Sequence, residues 1–219
     1  MKKLICFDLD NTLINSDVSH FFTYNKAIKH YGFRSVSFLK FLSLMGMPKE
    51  QMVREMVGQG KDEEIYYKIN KLQFKLITTK YKFFTWRLFG AKKALKKLKK
   101  NYKLAVTSNC AHKTIINLLK NAGIDYKLFD AIVGDDDVKV PKPSPNEIKK
   151  AVRITKTKAS YVVGDSIYDI MAAKRAKVKI ISVLTGHTSR KVLKEKKPDY
   201  IIKSVRYLPK LLEMINNEP

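Results

Sequence analysis

At several places this chain puts oxygen-bearing side chains directly after a short apolar run. Leu4–Phe7 is followed by Asp8, Asp10 and Thr12, "KLAVT" by Ser108 and Asn109, and "DAIVG" by Asp135, Asp136 and Asp137. "SYVVG" is followed by Asp165, with Asp169 four residues on, and Lys142 stands between prolines in "VPKPSP". Carboxylates gathered on one rim repel one another unless a cation sits among them, and hard divalent cations prefer oxygen ligands. The pattern therefore predicts a bound cation. Asp165 and Asp169 lie one helical turn apart and so share a face.

The apolar runs read as strands and the segments between them as helices. "AKKALKKLKKN", "HKTIINLLKNAG", "SPNEIKKAVRI", "IYDIMAAKRA" and "VRYLPKLLEMI" have helical spacing, and "YKLAVTSN", "DAIVG", "ASYVVGD", "VKIISVLTG" and "DYIIKS" read as strands. This alternation predicts βαβ units and a parallel sheet, an α/β, doubly wound, Rossmann-like core. In such sheets ligands bind beyond the carboxyl ends of the strands, where the acids fall. Between the first strand and the rest, residues 16–82 are helical throughout, with stops at Gly32 and Gly46 and a Pro48 start. The expected division is a core of 1–15 and 83–219 with an all-helical cap of 16–82. The aromatics Phe21, Phe22, Tyr24, Phe38 and Phe41 are expected to pack the cap's own core.

A hydrophobic content of 45% in 219 residues implies a folded globular chain. No apolar window reaches the length of a membrane helix, and the apolar run after "MKK" is too short for a signal peptide, so a cytoplasmic location is expected. Cys6 and Cys110 form no CxxC pair and read as free, buried or half-buried thiols. The net charge of +24 raises the reading of a basic nucleic-acid-binding protein. However, only seven of the 44 basic residues are Arg, the residue suited to bidentate phosphate and base contacts. The densest lysine run also has Ala91, Leu95 and Leu98 at helical spacing, which makes its lysines a wet face. The charge fits better with a lysine-biased chain whose lysines are solvated surface, and such a positive field would also steer a small anionic substrate.

Asp8-x-Asp10-x-Thr12, Ser108 after a strand, Lys142 in "KPSP" and "GDSIYD" with Asp165 and Asp169, in this order, resemble the haloacid dehalogenase superfamily. The helical insert after the first strand is similar to that of its phosphoglycolate phosphatase and β-phosphoglucomutase-like group. The resemblance implies a phosphatase acting on a small phosphomonoester through an aspartyl-phosphate. In it, Asp8 is the nucleophile and Asp10 the general acid and base. Mg2+ is held by Asp8, the backbone carbonyl of Asp10, and Asp165. Ser108, the N–H of Asn109, and Lys142 bind the phosphate. Asp169 orients Lys142 or a metal-bound water, and Thr12 supports the site from behind. Crowding by Asp8 and Asp165 is expected to push the Asp10 carboxyl up. Two departures from the group are Pro141, where Gly is usual, and Leu88-Phe89-Gly90, where a Pro-Gly pair is usual. The first bears on the reach of Lys142.

Other readings of these residues are weaker. An EF-hand is excluded, since the sixth position from Asp8 is Leu13 and the twelfth is Ser19. Ser108 by itself reads as a helix N-cap, and Asp135–Asp137 as a solvated acidic turn. His20, His30, His112 and His187 read as surface or packing residues. Asn15, Tyr24 and the turn at Gly46 are candidates to read the substrate, a small anionic phosphorylated metabolite. The same chemistry would serve a phosphomutase if the intermediate outlived attack by water. Oligomeric state is open.

Overall fold

The computed structural model describes residues 2–81 and 83–217. The expected domain bounds at residues 1, 82 and 219 lie outside them. Six strands form one parallel sheet: β1 (Lys3–Phe7), β4 (Tyr102–Thr107), β5 (Ala131–Val133), β6 (Ala159–Gly164), β7 (Lys179–Val183) and β8 (Tyr200–Ile202), in the order β5-β4-β1-β6-β7-β8. β1 pairs with β4 on one side and with β6 on the other. The chain builds outward from β1 in one direction, then returns and builds in the other. Asp8 therefore leaves the sheet where the strand order reverses, the place at which open α/β sheets bind ligands.

Side chains alternate across β1 with the period-two geometry of a strand. Ile5 and Phe7 enter one fully buried cluster with Leu104, Val106, Tyr161, Val163 and Ile181. Leu4 and Cys6 enter the opposite one with Ala105, Val133, Val162 and Ile180. Both faces of the sheet are thus covered by helices, so its strands are apolar without alternating in polarity. Truncating Phe7 to Ala would cost about 3–5 kcal/mol. α5 (Ala91–Lys99) buries Ala91, Ala94, Leu95 and Leu98 and turns Lys92, Lys93, Lys96 and Lys97 to solvent, as its spacing implies.

Between β1 and β4 lie α1 (Asp17–His30), α2 (Phe38–Leu44), α3 (Lys49–Val57) and α4 (Glu63–Thr79). They pack around their own cluster of Tyr24, Ala27, Ile28, Phe41, Met52, Val53, Tyr66 and Ile69. Of the five aromatics expected inside, Tyr24 and Phe41 are buried and Phe21 packs against the cluster. Phe22 and Phe38 are instead 43% and 40% exposed. They lie on the rim, where Phe22 meets the ring of Phe84 and Phe38 that of Phe21.

Two features have no counterpart in the sequence reading. The strands leading into and out of the helical block, β2 (Ile14–Asn15) and β3 (Trp86–Arg87), pair antiparallel. In addition, a short helix, α9 (Arg190–Glu195), precedes β8, with Ser189 as its N-cap. The remaining helices are α6 (His112–Asn121), α7 (Asn146–Thr155), α8 (Ile167–Arg175) and α10 (Leu208–Asn217).

Candidate active site

The turn after β1 aims Asp8 and Asp10 in different directions. Asn11 takes a left-handed conformation, φ 57°, which Asn tolerates better than most residues. Its side chain donates to Asp17 Oδ1 at 2.9 Å, and its carbonyl accepts from Thr185 Oγ1 at 2.5 Å. The turn is thereby tied both to the start of α1 and to the loop after β7.

Asp8 points into the core side of the site. Lys142 Nζ donates to Asp8 Oδ1 at 2.6 Å, to Asp169 Oδ1 at 2.7 Å and to the Thr107 carbonyl at 3.0 Å. All three ammonium hydrogens are used, and Lys142 is only 3% exposed. Pro141 in place of the usual Gly does not shorten its reach. The other oxygen of Asp169 accepts from Ser166 N and Oγ in a reciprocal cap at the start of α8. Gly164 is required here, because a Cβ would come within 2.3 Å of Asp169 Cγ. Thr12 Oγ1 donates to Asp165 Oδ1 at 3.2 Å. Gly186 backs the same carboxylate, and a Cβ there would meet Asp165 Oδ2 at 1.8 Å.

Burial pushes the Asp8 carboxyl up to about 8, with Asp169 and Asp10 adding to the rise and Lys142 opposing it. Burial, then the charges of Asp8 and Asp169, also raise Asp165 well above the usual carboxylate range. Oxygens of Asp8, Asp165 and Asp169 lie within 4.8 Å of one another. One lysine does not neutralise three buried carboxylates, and this all-oxygen set suits a hard divalent cation. Asp169 is already held by Lys142 and Ser166, so Asp8 and Asp165 are its freer carboxylate donors.

Asp10 points toward the helical block. Ser16 Oγ donates to Asp10 Oδ1, and Cys110 Sγ approaches Oδ2 at 3.2 Å. His20 Nε2 is 3.7 Å from Oδ1. Ser16 precedes α1 in the N-cap position but makes no cap hydrogen bond, because its hydroxyl serves Asp10. The expectation of a raised Asp10 is therefore overturned. Burial pushes it up, but the hydrogen bond and charge of His20, with hydrogen bonds from Ser16 and Cys110, hold it below the usual range. The carboxylate has turned away from the acids that would have raised it.

Ser108 is buried and accepts a hydrogen bond from Cys110 N at 3.2 Å. It does not cap α6, whose N-cap is Ala111. Asn109 donates from Nδ2 to the carbonyls of Gly46, at 3.2 Å, and Lys142, at 3.3 Å, so it ties the helical block to the core. A cavity of about 60 Å3 lies between these groups, lined by Asp8, Asp10, His20, Lys49, Asn109 and Lys142 among others. That is room for a few waters.

The structure corrects several expectations. His20 is a buried neighbour of Asp10, with Nδ1 3.4 Å from Gln73 Nε2. The acidic turn is not simply solvated. Asp135 is buried and paired with Lys49 Nζ at 2.8 Å, Asp136 accepts from His112 N, and Asp137 accepts from His112 Nδ1 and Gly134 N. Asn15 does not line the cavity; its amide bonds Asn11 and Asp17 at the hinge. Tyr24 and Gly46 do line it. His187 bonds Asp17 Oδ2 at 3.0 Å, and His30 is exposed against Tyr31. The residues that sequence reasoning missed are His20, Cys110 and Lys49. Only His20 left a local trace, as it stands one helical turn after Ser16 on the same face of α1.

Among the described residues, no helix is long and apolar enough to cross a membrane. The chain is 27% identical over 217 residues to pyrophosphatase PpaX of Bacillus mycoides, covering 97% of both chains. Among solved structures it is similar to a protein from Clostridium acetobutylicum described as a predicted phosphatase. The TM-score is 0.87 at 23% identity, over 98% of this chain and 99% of that one. It is also similar to a protein from Haemophilus somnus described as a predicted phosphoglycolate phosphatase, with a TM-score of 0.82 at 24% identity, over 96% and 98%. Residues 5–183 match the sequence profile of the haloacid dehalogenase-like hydrolases. With Asp8, Lys142 and Asp165 all inside that span, the chain belongs to the haloacid dehalogenase-like hydrolase family.

Proposed function

We propose that this protein is a Mg2+-dependent phosphatase that hydrolyses a small phosphomonoester, phosphoglycolate-like or a sugar phosphate, through an aspartyl-phosphate on Asp8. The carrying observation is the Asp8–Lys142–Asp169 chain at the head of β1, with Asp165 alongside and Asp10 facing the other way. Lys142 holds Asp8 Oδ1, which leaves Oδ2 to attack phosphorus. Its charge also lies where the incoming phosphate would bring more negative charge. Asp8, the Asp10 carbonyl and Asp165 would hold Mg2+, which would supply charge neutralisation and Lewis-acid stabilisation of the transferring phosphoryl group. Ser108 and the Asn109 N–H would bind phosphate oxygens. Asp10 carries the proton to the leaving oxygen and takes one from the attacking water. The helical block closes over the site and excludes water. The location is taken to be cytoplasmic.

A second reading, hydrolysis of pyrophosphate, has a specific observation in its favour. Asp10 is held in its charged form by His20, Ser16 and Cys110. A charged Asp10 is a ready base but a reluctant acid. It suits a leaving group such as phosphate, which departs readily as an anion, better than an alcohol, which must be protonated as it departs. The relatives named pyrophosphatase point the same way. Phosphate release from pyrophosphate, phosphoglycolate, sugar phosphates and an aryl phosphate, assayed side by side with Mg2+, separates the two readings. No release from any of them, or undiminished release by Asp8→Asn, would refute both.

A further inference from the structure

Among the described residues, one group of side chains besides Asp8, Asp165 and Asp169 has the composition of a metal site. Asp10, His20 and Cys110 offer an oxygen, a nitrogen and a sulfur that all lie within 4.8 Å of one another. We propose that these three residues form a second cation site, selective for a borderline-soft divalent ion of the Zn2+ or Co2+ class, and that filling it shuts off hydrolysis by taking the Asp10 carboxylate.

Three observations carry the proposal. First, the donor set is of mixed hardness, with one carboxylate, one imidazole and one thiol, whereas the Asp8–Asp165 set is all oxygen. Thiolate and imidazole favour Zn2+ and Co2+ over Mg2+. Second, the spacing suits one small ion. Zn–S near 2.3 Å and Zn–N or Zn–O near 2.1 Å, at tetrahedral angles, put the donors about 3.4–3.6 Å apart. Here Cys110 Sγ is 3.2 Å from Asp10 Oδ2 and 3.7 Å from His20 Nε2, and His20 Nε2 is 3.7 Å from the other carboxylate oxygen, Oδ1, so that with one oxygen from Asp10 the three donors lie within 4.8 Å of one another. Third, the surroundings suit ligation. His20 Nδ1 faces the Gln73 amide at 3.4 Å, and that amide also reaches Thr23 Oγ1. With its oxygen turned inward, Gln73 would accept Nδ1–H and leave the Nε2 lone pair for the ion, the outer support that metal-bound histidines use. All three residues line the cavity, so a fourth position stays open to water, as in zinc sites with three protein ligands.

On binding, Cys110 loses its thiol proton to solvent, and the S–H contact to Asp10 is replaced by the ion. The carboxylate charge is then shared with the cation, which makes Asp10 a weaker base toward water.

The test uses Co2+ as a spectroscopic probe on the full chain with Mg2+ saturating and no substrate present. We expect a thiolate-to-cobalt charge-transfer band in the near ultraviolet that saturates at one equivalent and is abolished by Zn2+. It should be absent in Cys110→Ala and Cys110→Ser and unchanged in Cys6→Ala, and should need about tenfold more Co2+ in Gln73→Ala. No band on the wild type, or a band that survives removal of Cys110, overturns the site. The wild-type band requires no variant to fold and no substrate to be known, so its failure is separate from failure of the phosphatase reading. Where hydrolysis is measured, Zn2+ should inhibit in the presence of excess Mg2+, and Cys110→Ala should raise the concentration needed at least tenfold. Equal inhibition of both proteins overturns the inhibitory role.

Discussion

Asp8 and Asp10 are separated by a single residue, yet they face opposite surroundings. Asp8 is held entirely by the sheet and its loops: Lys142 from the loop before α7, Thr107 at the end of β4 and, through Lys142, Asp169 on α8. Asp10 is held by Ser16 and His20 at the start of the helical block and by Cys110 after β4. Burial wins at Asp8 and raises it, whereas hydrogen bonds and a neighbouring imidazole win at Asp10 and lower it. The difference teaches a division of labour. On the proposed mechanism, attack on phosphorus rests on groups supplied by the core, whereas proton handling rests partly on groups that belong to the helical block and would be coupled to its closure.

Substitution at the two acids should separate these roles most sharply. Asp8→Asn should lower turnover by at least about ten-thousand-fold for every phosphate ester, a barrier change of more than about 5 kcal/mol. Asp10→Asn should lose about a hundredfold to ten-thousand-fold, and less on pyrophosphate or an aryl phosphate than on an alkyl phosphate. Equal losses for Asp10→Asn across leaving groups would break the comparison. Lys142→Met would strand Asp8 and Asp169 as buried, unpaired acids, and urea melts should show a loss of about 3–5 kcal/mol.

Glu147 tests the core side through pH. Its carboxyl is fully buried behind Lys142, Oε1 accepts from Lys142 N at 3.4 Å, and Oε2 has no hydrogen-bond partner among the described residues. Burial, opposed by Lys142, pushes it from 4.5 up to about 7. The folded protein therefore holds a proton that the unfolded chain has released between these values. Stability from this group falls as pH rises from about 4.5 to about 7 and is level above that. Glu147→Gln should remove that fall, with a relative gain on the order of 3 kcal/mol at pH 8 over pH 4 in chemical melts. Ser16→Ala should have the smallest effect. Losing one hydrogen bond to charged Asp10 raises its pKa, so the acid limb of the pH–rate profile should move up by about one unit or less.

The core side was largely legible in the chain because each of its groups follows a short apolar strand. Asp8 after Leu4–Phe7, Asp165 after β6 and Asp169 one turn later are placed by local geometry alone, and Lys142 is marked by its flanking prolines. The Asp10 side was not legible. His20 and Lys49 reach Cys110 and Asp135 only through docking of the helical block on the sheet, Cys110 reaches Asp10 across 100 positions of the chain, and no periodicity encodes these approaches. The same limit explains the hinge. β2 and β3 have two residues each, too short for an alternating pattern, and their pairing is a tertiary event. It also explains the acidic turn. A run of three aspartates reads as solvated until Lys49 from the block is seen to reach Asp135.

The central claim, that Asp8 is the attacking group, is open to a direct chemical trap. The protein would be mixed with substrate and Mg2+, quenched during turnover, treated with borohydride and mapped by peptide mass spectrometry. Borohydride reduces an acyl phosphate to the alcohol, so substrate-dependent conversion of residue 8 to homoserine is the expected result. Hydrolysis that proceeds with residue 8 unmodified, or with the reduction on another carboxylate, would contradict it.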